Sequence, residues 1–223
     1  MFFHKKDDDA TVVGLLASGL RRDICFGELA PDQRLKIEDL RQRYGGSAHS
    51  LREALMALAS EGLVEANAQR GFRVASATDG DLRDILRLRA EVECLGLAWS
   101  LTNGDVAWEG RVIAARHALQ RAEAGLATDP MGQAMVWDEA SKAFHEQLVA
   151  ASGSVRLISL QERFYIEGRR FRLAALREGR IDVQRTSKTE DALLSAILAR
   201  KSDDAVALLK SLILDDGTAP SRH

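Results

Sequence analysis

The sequence predicts a mainly α-helical chain in two parts, three helices closed by a β-hairpin followed by an antiparallel six-helix bundle. Three observations predict it. Apolar residues recur at the helical period through most of the chain. The one clear stretch of short β-like runs, LVEANAQRGFRVAS at residues 63–76, closes the first part. Beyond it every segment reads as helix, with breaks at Asn103-Gly104, Asp129-Pro130, Ser152-Gly153, Gly179 and Lys201-Ser202.

Each element follows in order. A first helix spans about residues 9–26, with Val12, Val13, Leu15, Leu16, Leu20 and Ile24 as its stripe. Residues 27–31 break it. A short helix at about 37–44 stops at Gly45-Gly46, and Ser47 then suits the N-cap of a third helix at 48–61. Gly62 ends that helix, and the hairpin turns just before Gly71. Helix, helix, tight turn, helix and hairpin together describe a winged helix-turn-helix. The bundle helices are expected at about 81–103, 105–125, 130–151, 154–177, 179–200 and 202–214, with Pro130 at a helix start, where proline is tolerated. The organisation is therefore a winged helix-turn-helix at 1–76, a linker at 77–80, a bundle at 81–216 and a tail at 217–223.

Composition narrows the function. Charged residues make up 29% and the hydrophobic set 46%, as in an ordinary globular protein. No apolar run approaches the roughly 20 residues of a bilayer span, and the N-terminus has no signal-like apolar stretch. With only Cys25 and Cys94, far apart, the expected setting is a reducing cytoplasm. No phosphate-binding glycine loop, nucleophile–base pair or metal-ligand cluster points to an enzyme. The net charge of -2 gives no general attraction to polyanions, so DNA affinity must come from local clustering. Residues 34–52 carry such a cluster, with Arg34, Lys36, Arg41, Arg43 and Arg52.

A recognition helix presents short polar and basic side chains at its N-terminal end. Leu51, Ala54, Leu55 and Leu58 form the buried stripe here, which leaves Ser47, His49, Ser50 and Arg52 toward DNA. Arg52 suits paired bonds to guanine or phosphate. Arg70, beside Gly71, would reach the minor groove or the backbone from the hairpin. GELAPDQRLKIEDL and YGGSAHSLREALMALASEGLVEANAQRGFRV, at residues 27–40 and 44–74, resemble the DNA-binding domain of GntR-type regulators. That family usually reads G-x-L-x-P-G, then G-V-S-R-x-P-V-R-E-A-L, then E-G-L-V. Ala48 stands where it usually has arginine, Ser50 where it has proline, and Asp32 where it has glycine. The resemblance implies sequence-specific binding of a near-palindromic duplex operator by a homodimer, with the Ala48 position lacking one contact.

In the bundle the informative residues are polar ones on apolar faces. Arg89 and Glu93 share a face with Leu82, Ile85, Leu86, Val92 and Gly96. Ser141 and His145 lie on the stripe of Trp137, Phe144 and Leu148, and Glu190 lies with Leu193, Leu194 and Ile197. Buried charge is costly unless it is paired or binds something, so these residues form either an internal network or a polar cavity. The network would pair Arg89 with Glu93 and His145 with Glu190. The cavity would hold a small effector, with Arg89 taking a carboxylate or other anion. The arginine-rich run at residues 161–180 is expected to be mostly a solvated face, with one or two arginines and Tyr165 available to the cavity.

LRDILRLRAEVECLGL, AFHEQLVAASGS and TEDALLSAI resemble the FadR C-terminal (FCD) ligand-binding domain. The resemblance implies effector-controlled repression, and in many such domains a divalent metal held by an aspartate and histidines. Only His145 remains of those ligands. Ser141 replaces the aspartate, Glu190 the second histidine, and the third falls near Leu212. Asp138 lies seven residues from His145, about 10.5 Å along a helix, which is too far to share an ion. The pocket is therefore expected to be metal-free. The competing reading is a winged-helix protein-interaction module with weakened DNA reading and no effector.

Overall fold

The computed structural model describes residues 4–67 and 69–215, so the expected tail at 217–223 lies outside the described residues. The chain divides into two compact units, Met1–Thr78 and Asp79–His223.

In the first unit, α1 (His4–Cys25), α2 (Ile37–Tyr44) and α3 (Ala48–Ser60) pack with a sheet of β1 (Arg34–Leu35), β2 (Val64–Asn67) and β3 (Gly71–Val74). The sheet is antiparallel in the order β1-β3-β2. The sequence does not predict strand β1, because a two-residue strand carries no periodicity. The α1 stripe also needs correction. Leu16, Ala17, Leu20 and Ile24 are buried, whereas Val12 and Leu15 face outward. The core is completed by Leu51, Ala54, Leu55, Leu58, Leu63 and Val74. Gly45 and Gly46, at φ 74 and 78, make the tight turn between α2 and α3. Asp32 also adopts a left-handed φ of 64, a conformation that favours glycine.

The second unit is α4 (Asp79–Asn103), α5 (Val106–Leu126), α6 (Pro130–Val149), α7 (Val155–Arg177), α8 (Val183–Leu198) and α9 (Ser202–Leu214). Asp79 and Gly80, expected in the linker, begin α4, where Asp79 and Asp81 suit the positive end of the helix dipole. α8 starts later than expected because the Asp182 side chain caps it by accepting from the Arg185 N–H. α4 runs through the middle, packed on α6, α7 and α9. Gly96 permits that approach, since a Cβ there would lie 2.7 Å from side-chain atoms of both Leu157 and Val149. Trp108, Val112, Leu119, Phe144, Leu148, Leu193, Ile197 and Leu209 form the apolar core around it. No helix of the described residues is long and apolar enough to cross a membrane.

Candidate functional site

Two groups of polar side chains stand out, one on the surface of the first unit and one inside the second. At the start of α3, Ser47 is the N-cap and accepts from the Ser50 N–H at 3.0 Å. The two hydroxyls also lie 2.8 Å apart, and Ser50 is buried. This corrects the expectation that Ser50 faces DNA: the cap turns it inward, beside Leu51 and Ala54. His49 is 83% exposed and sits 3.3 Å from Glu53. Arg52 is exposed, its guanidinium resting 3.4 Å from the Ala48 carbonyl. Arg41 is exposed beside Glu38.

Arg43 has a structural task. Its Nη2 donates to Asp23 Oδ2 at 2.6 Å, and the Tyr44 hydroxyl donates to the same oxygen at 2.5 Å. Burial, then the bond to Asp23, raise the Tyr44 phenol well above its ordinary range. This clamp ties α2 to α1 and was not foreseen. At the hairpin tip the Asn67 side chain accepts from the N–H groups of Gln69 and Arg70, and Gly71 takes a φ of 76. Arg70 is exposed there. Arg73 is a further exposed arginine, paired in register with Arg34 across β3 and β1. Alternation within the short strand was the signal that could have found it.

Inside the second unit lies a cavity of about 180 Å³. Arg89 of α4, Trp137, Ser141 and His145 of α6, Arg172 of α7, Glu190 of α8 and Leu212 of α9 line it. Arg180 and Arg185 add positive charge to its wall. Arg89 Nε donates to Glu93 Oε1 at 2.7 Å. His145 Nδ1 lies 2.5 Å from Glu93 Oε2 and 3.2 Å from Arg89 Nη2. A guanidinium can only donate, so the shorter contact assigns the proton to Nδ1, which donates to Glu93. Burial alone would raise the Glu93 carboxyl, but Arg89 and His145 outweigh it and hold it at about 2.

His145 is thus paired with Glu93 rather than with Glu190, the partner expected of an internal network. Glu93 and Tyr165, expected at the effector, stand behind the wall instead. The Tyr165 ring is fully buried against two guanidiniums, 4.5 Å from that of Arg89 and 4.0 Å from that of Arg172. Arg172 in turn donates from Nε and Nη2 to Asp138 Oδ1, at 2.9 and 2.6 Å. Arg169 Nε sits 2.5 Å from Asp138 Oδ2, and its Nη2 donates to Glu139. The arginine run therefore splits. Arg163 and Arg177 are exposed, whereas Arg169 and Arg172 are buried, which corrects the reading of a mostly solvated face.

A second buried cluster was missed. Arg116 of α5, 1% exposed, contacts Glu123, Glu190 and Asp191 and donates to the Ser187 carbonyl and hydroxyl. It shares an apolar face with Val112 and Leu119, the same signal that marked Arg89.

These residues do not fit a divalent cation. The His145 Nδ1–H bond to Glu93 leaves Nε2 able to bind a metal, but among the described residues His145 is the one imidazole lining the cavity, Asp138 is held by two guanidiniums, and Arg89 and Arg172 set positive charge on the wall. Among the described residues no group of three or more His, Cys, Asp and Glu could hold an ion.

A winged helix-turn-helix with basic side chains around its recognition helix, together with a helical unit enclosing a charged cavity, defines the class of DNA-binding transcription regulators. Residues 16–74 match the family described as "Bacterial regulatory proteins, gntR family", and residues 84–215 match the FCD domain. The chain belongs to the GntR family of transcriptional regulators, with an FCD domain as its C-terminal part. It is 35% identical over 191 residues to the "Uncharacterized HTH-type transcriptional regulator BphR" of Paraburkholderia xenovorans, covering 86% of this chain and 78% of that one. It is 34% identical over 198 residues to the "HTH-type transcriptional repressor GlaR" of Escherichia coli, covering 87% and 89%. The fold is shared with Escherichia coli McbR/YncC at a TM-score of 0.69 and 20% identity, over 91% of this chain and 93% of that one. GntR-family regulators bind DNA operators and small-molecule effectors, some FCD domains with a metal.

Proposed function

We propose that this chain acts as a homodimeric, sequence-specific repressor whose operator affinity is set by a small anionic effector, such as an organic acid, bound without metal in the FCD cavity. The DNA contacts are Arg41, Ser47, His49, Arg52, Arg70 and Gly71, with Arg43 divided between DNA and its clamp on Asp23. Ser47 acts mainly by holding the helix start. The observation that carries the effector reading is that Arg89 and Arg172 both line the cavity and both stack on Tyr165. Two guanidiniums fixed by buried partners form a preorganised anion site. Repression is supported by the relative named as a repressor. Effector binding would favour one arrangement of the DNA-binding parts over another, which is all that allostery requires.

Fluorescence anisotropy with the duplex upstream of the chain's own gene and a scrambled duplex, at two salt concentrations, tests the reading. Preference for the native duplex that survives the higher salt, and release by a carboxylate, are expected. Equal and salt-labile binding to both, unaffected by carboxylates, would favour the protein-interaction module. An Ala48→Arg variant is expected to tighten binding, since it restores the side chain usual at that position.

A further inference from the structure

Glu190 is 3% exposed on the α8 wall of the cavity, in a corner with an excess of acid. Arg116 holds its guanidinium beside it, and three carboxyl groups share that cation. Arg116 Nε lies 3.0 Å from Asp191 Oδ1, and Nη1 lies 3.2 Å from Glu123 Oε1 and 3.3 Å from Glu190 Oε2. The bonds to Asp191 and Glu123 are well directed. The approach to Glu190 is not, and among the described residues Glu190 Oε2 accepts no hydrogen bond although it is buried. Burial first, and then Glu123, push the Glu190 carboxyl well above the usual carboxylate range, against the pull of Arg116.

A buried acceptor without a donor is costly; this oxygen is turned toward Arg116, while the Glu190 side chain lines the cavity. The terminal torsion of a glutamate is broad, so a turn of the carboxyl group brings either oxygen to the cavity. Arg89 and Arg172 line the same cavity from α4 and α7. The cavity thus has guanidiniums on its α4 and α7 side and the Glu190 carboxyl on its α8 side, where Arg185 also lines it. At about 180 Å³ it is comparable to an engineered cavity of about 150 Å³ that holds benzene.

We propose that Glu190 selects the effector by its second functional group: the ligand is a small carboxylate that also carries a hydrogen-bond donor, an amine or a hydroxyl, which Glu190 receives. This rests on the anionic-effector reading, with the carboxylate at Arg89 and Arg172. A ligand with an apolar end leaves the Glu190 acceptor unsatisfied and is rejected, as happens wherever a site built around a polar partner meets an analogue lacking it.

Isothermal titration of the full chain with 3-aminopropanoate, 3-hydroxypropanoate and butanoate tests the proposal, because the three are alike in size and differ at the end group. The amino or the hydroxy acid is expected to bind at least ~10-fold more tightly than butanoate. Glu190→Met should bring all three to the butanoate level. Glu190→Gln keeps an acceptor oxygen and no charge, so it should retain a preference for the hydroxy acid and lose any for the amino acid. Circular dichroism checks that each variant folds, and the wild-type series decides the matter if one does not. Butanoate binding as tightly as the other two would overturn the role of Glu190 and leave the anion site standing. Failure of all three to bind at millimolar concentration would overturn both.

Discussion

The two units place their charges in opposite ways. In the Met1–Thr78 unit the core is almost wholly apolar, and Arg41, Arg52, Arg70 and Arg73 stand at the surface. In the Asp79–His223 unit Arg89, Glu93, Arg116, Asp138, His145, Arg169, Arg172 and Glu190 are all buried. A surface arginine is mobile and hydrated and contributes little to stability, so it is free to serve a large, hydrated partner. A buried arginine must be held by fixed partners, and those partners hold it in place for a small ligand. One unit should therefore lose function without losing stability, and the other should lose both together.

Removing Arg89 should have the largest effect. Arg89→Leu leaves the Glu93 carboxylate and His145 inside the bundle without the guanidinium, and breaking such a buried pair costs about 3–5 kcal/mol. Urea unfolding followed by tryptophan emission reads this unit alone, because Trp99, Trp108 and Trp137 all belong to it. A variant as stable as the parent would break the comparison.

Acid should act on the same network. The Glu93 carboxyl is held at about 2 against an ordinary 4.5, so the stabilisation is complete above 4.5 and is lost as pH falls toward 2. It amounts to roughly 3 kcal/mol. Unfolding at pH 7, 5 and 3 should show that loss, and Glu93→Gln should flatten the lower part of the profile. An unchanged profile in the variant would place the acid sensitivity elsewhere.

The surface counterpart is Arg52→Ala. Operator affinity should fall by about 1–3 kcal/mol if the guanidinium reads a base, with stability changed by less than ~0.5 kcal/mol. A phosphate contact would instead weaken all duplexes alike and lower the salt slope by about one. Anisotropy on matched and mismatched duplexes separates the two. The smallest effect is expected from Ser47→Ala, about 1 kcal/mol of stability through the lost cap, read as a lower urea midpoint by circular dichroism, since the tryptophans lie in the other unit.

Much of this division was legible before any coordinates. The sequence predicts α2 at 37–44 and α3 at 48–61, within a residue of the observed ends, because Gly45-Gly46 stop the first and the Ser47 cap and Gly62 bracket the second. It found Arg89, Glu93, His145 and Glu190 because each interrupts an apolar stripe. Their partners were not legible, since a stripe says that a side chain points inward and nothing about which helix it meets. The stripe therefore points His145 to Glu190 where the structure pairs it with Glu93, and it does not show that Asp138 meets Arg169 and Arg172. Arg116 was passed over although its apolar neighbours Val112 and Leu119 carry the same signal. Ser50 was sent outward because residue type was given more weight than helix geometry: it lies three residues past the cap, where the Ser47 hydroxyl draws it in.

Trp137 gives the protein an optical readout of its own. Its indole lines the cavity beside Ser141 and His145. Trp108 is buried with its indole N–H donated to the Gln147 carbonyl, and Trp99 is 40% exposed on α4. Neither of those two lines the cavity, so they supply a constant background. A solute entering the enclosure displaces water from one chromophore of three, and the emission reports its arrival with no label attached.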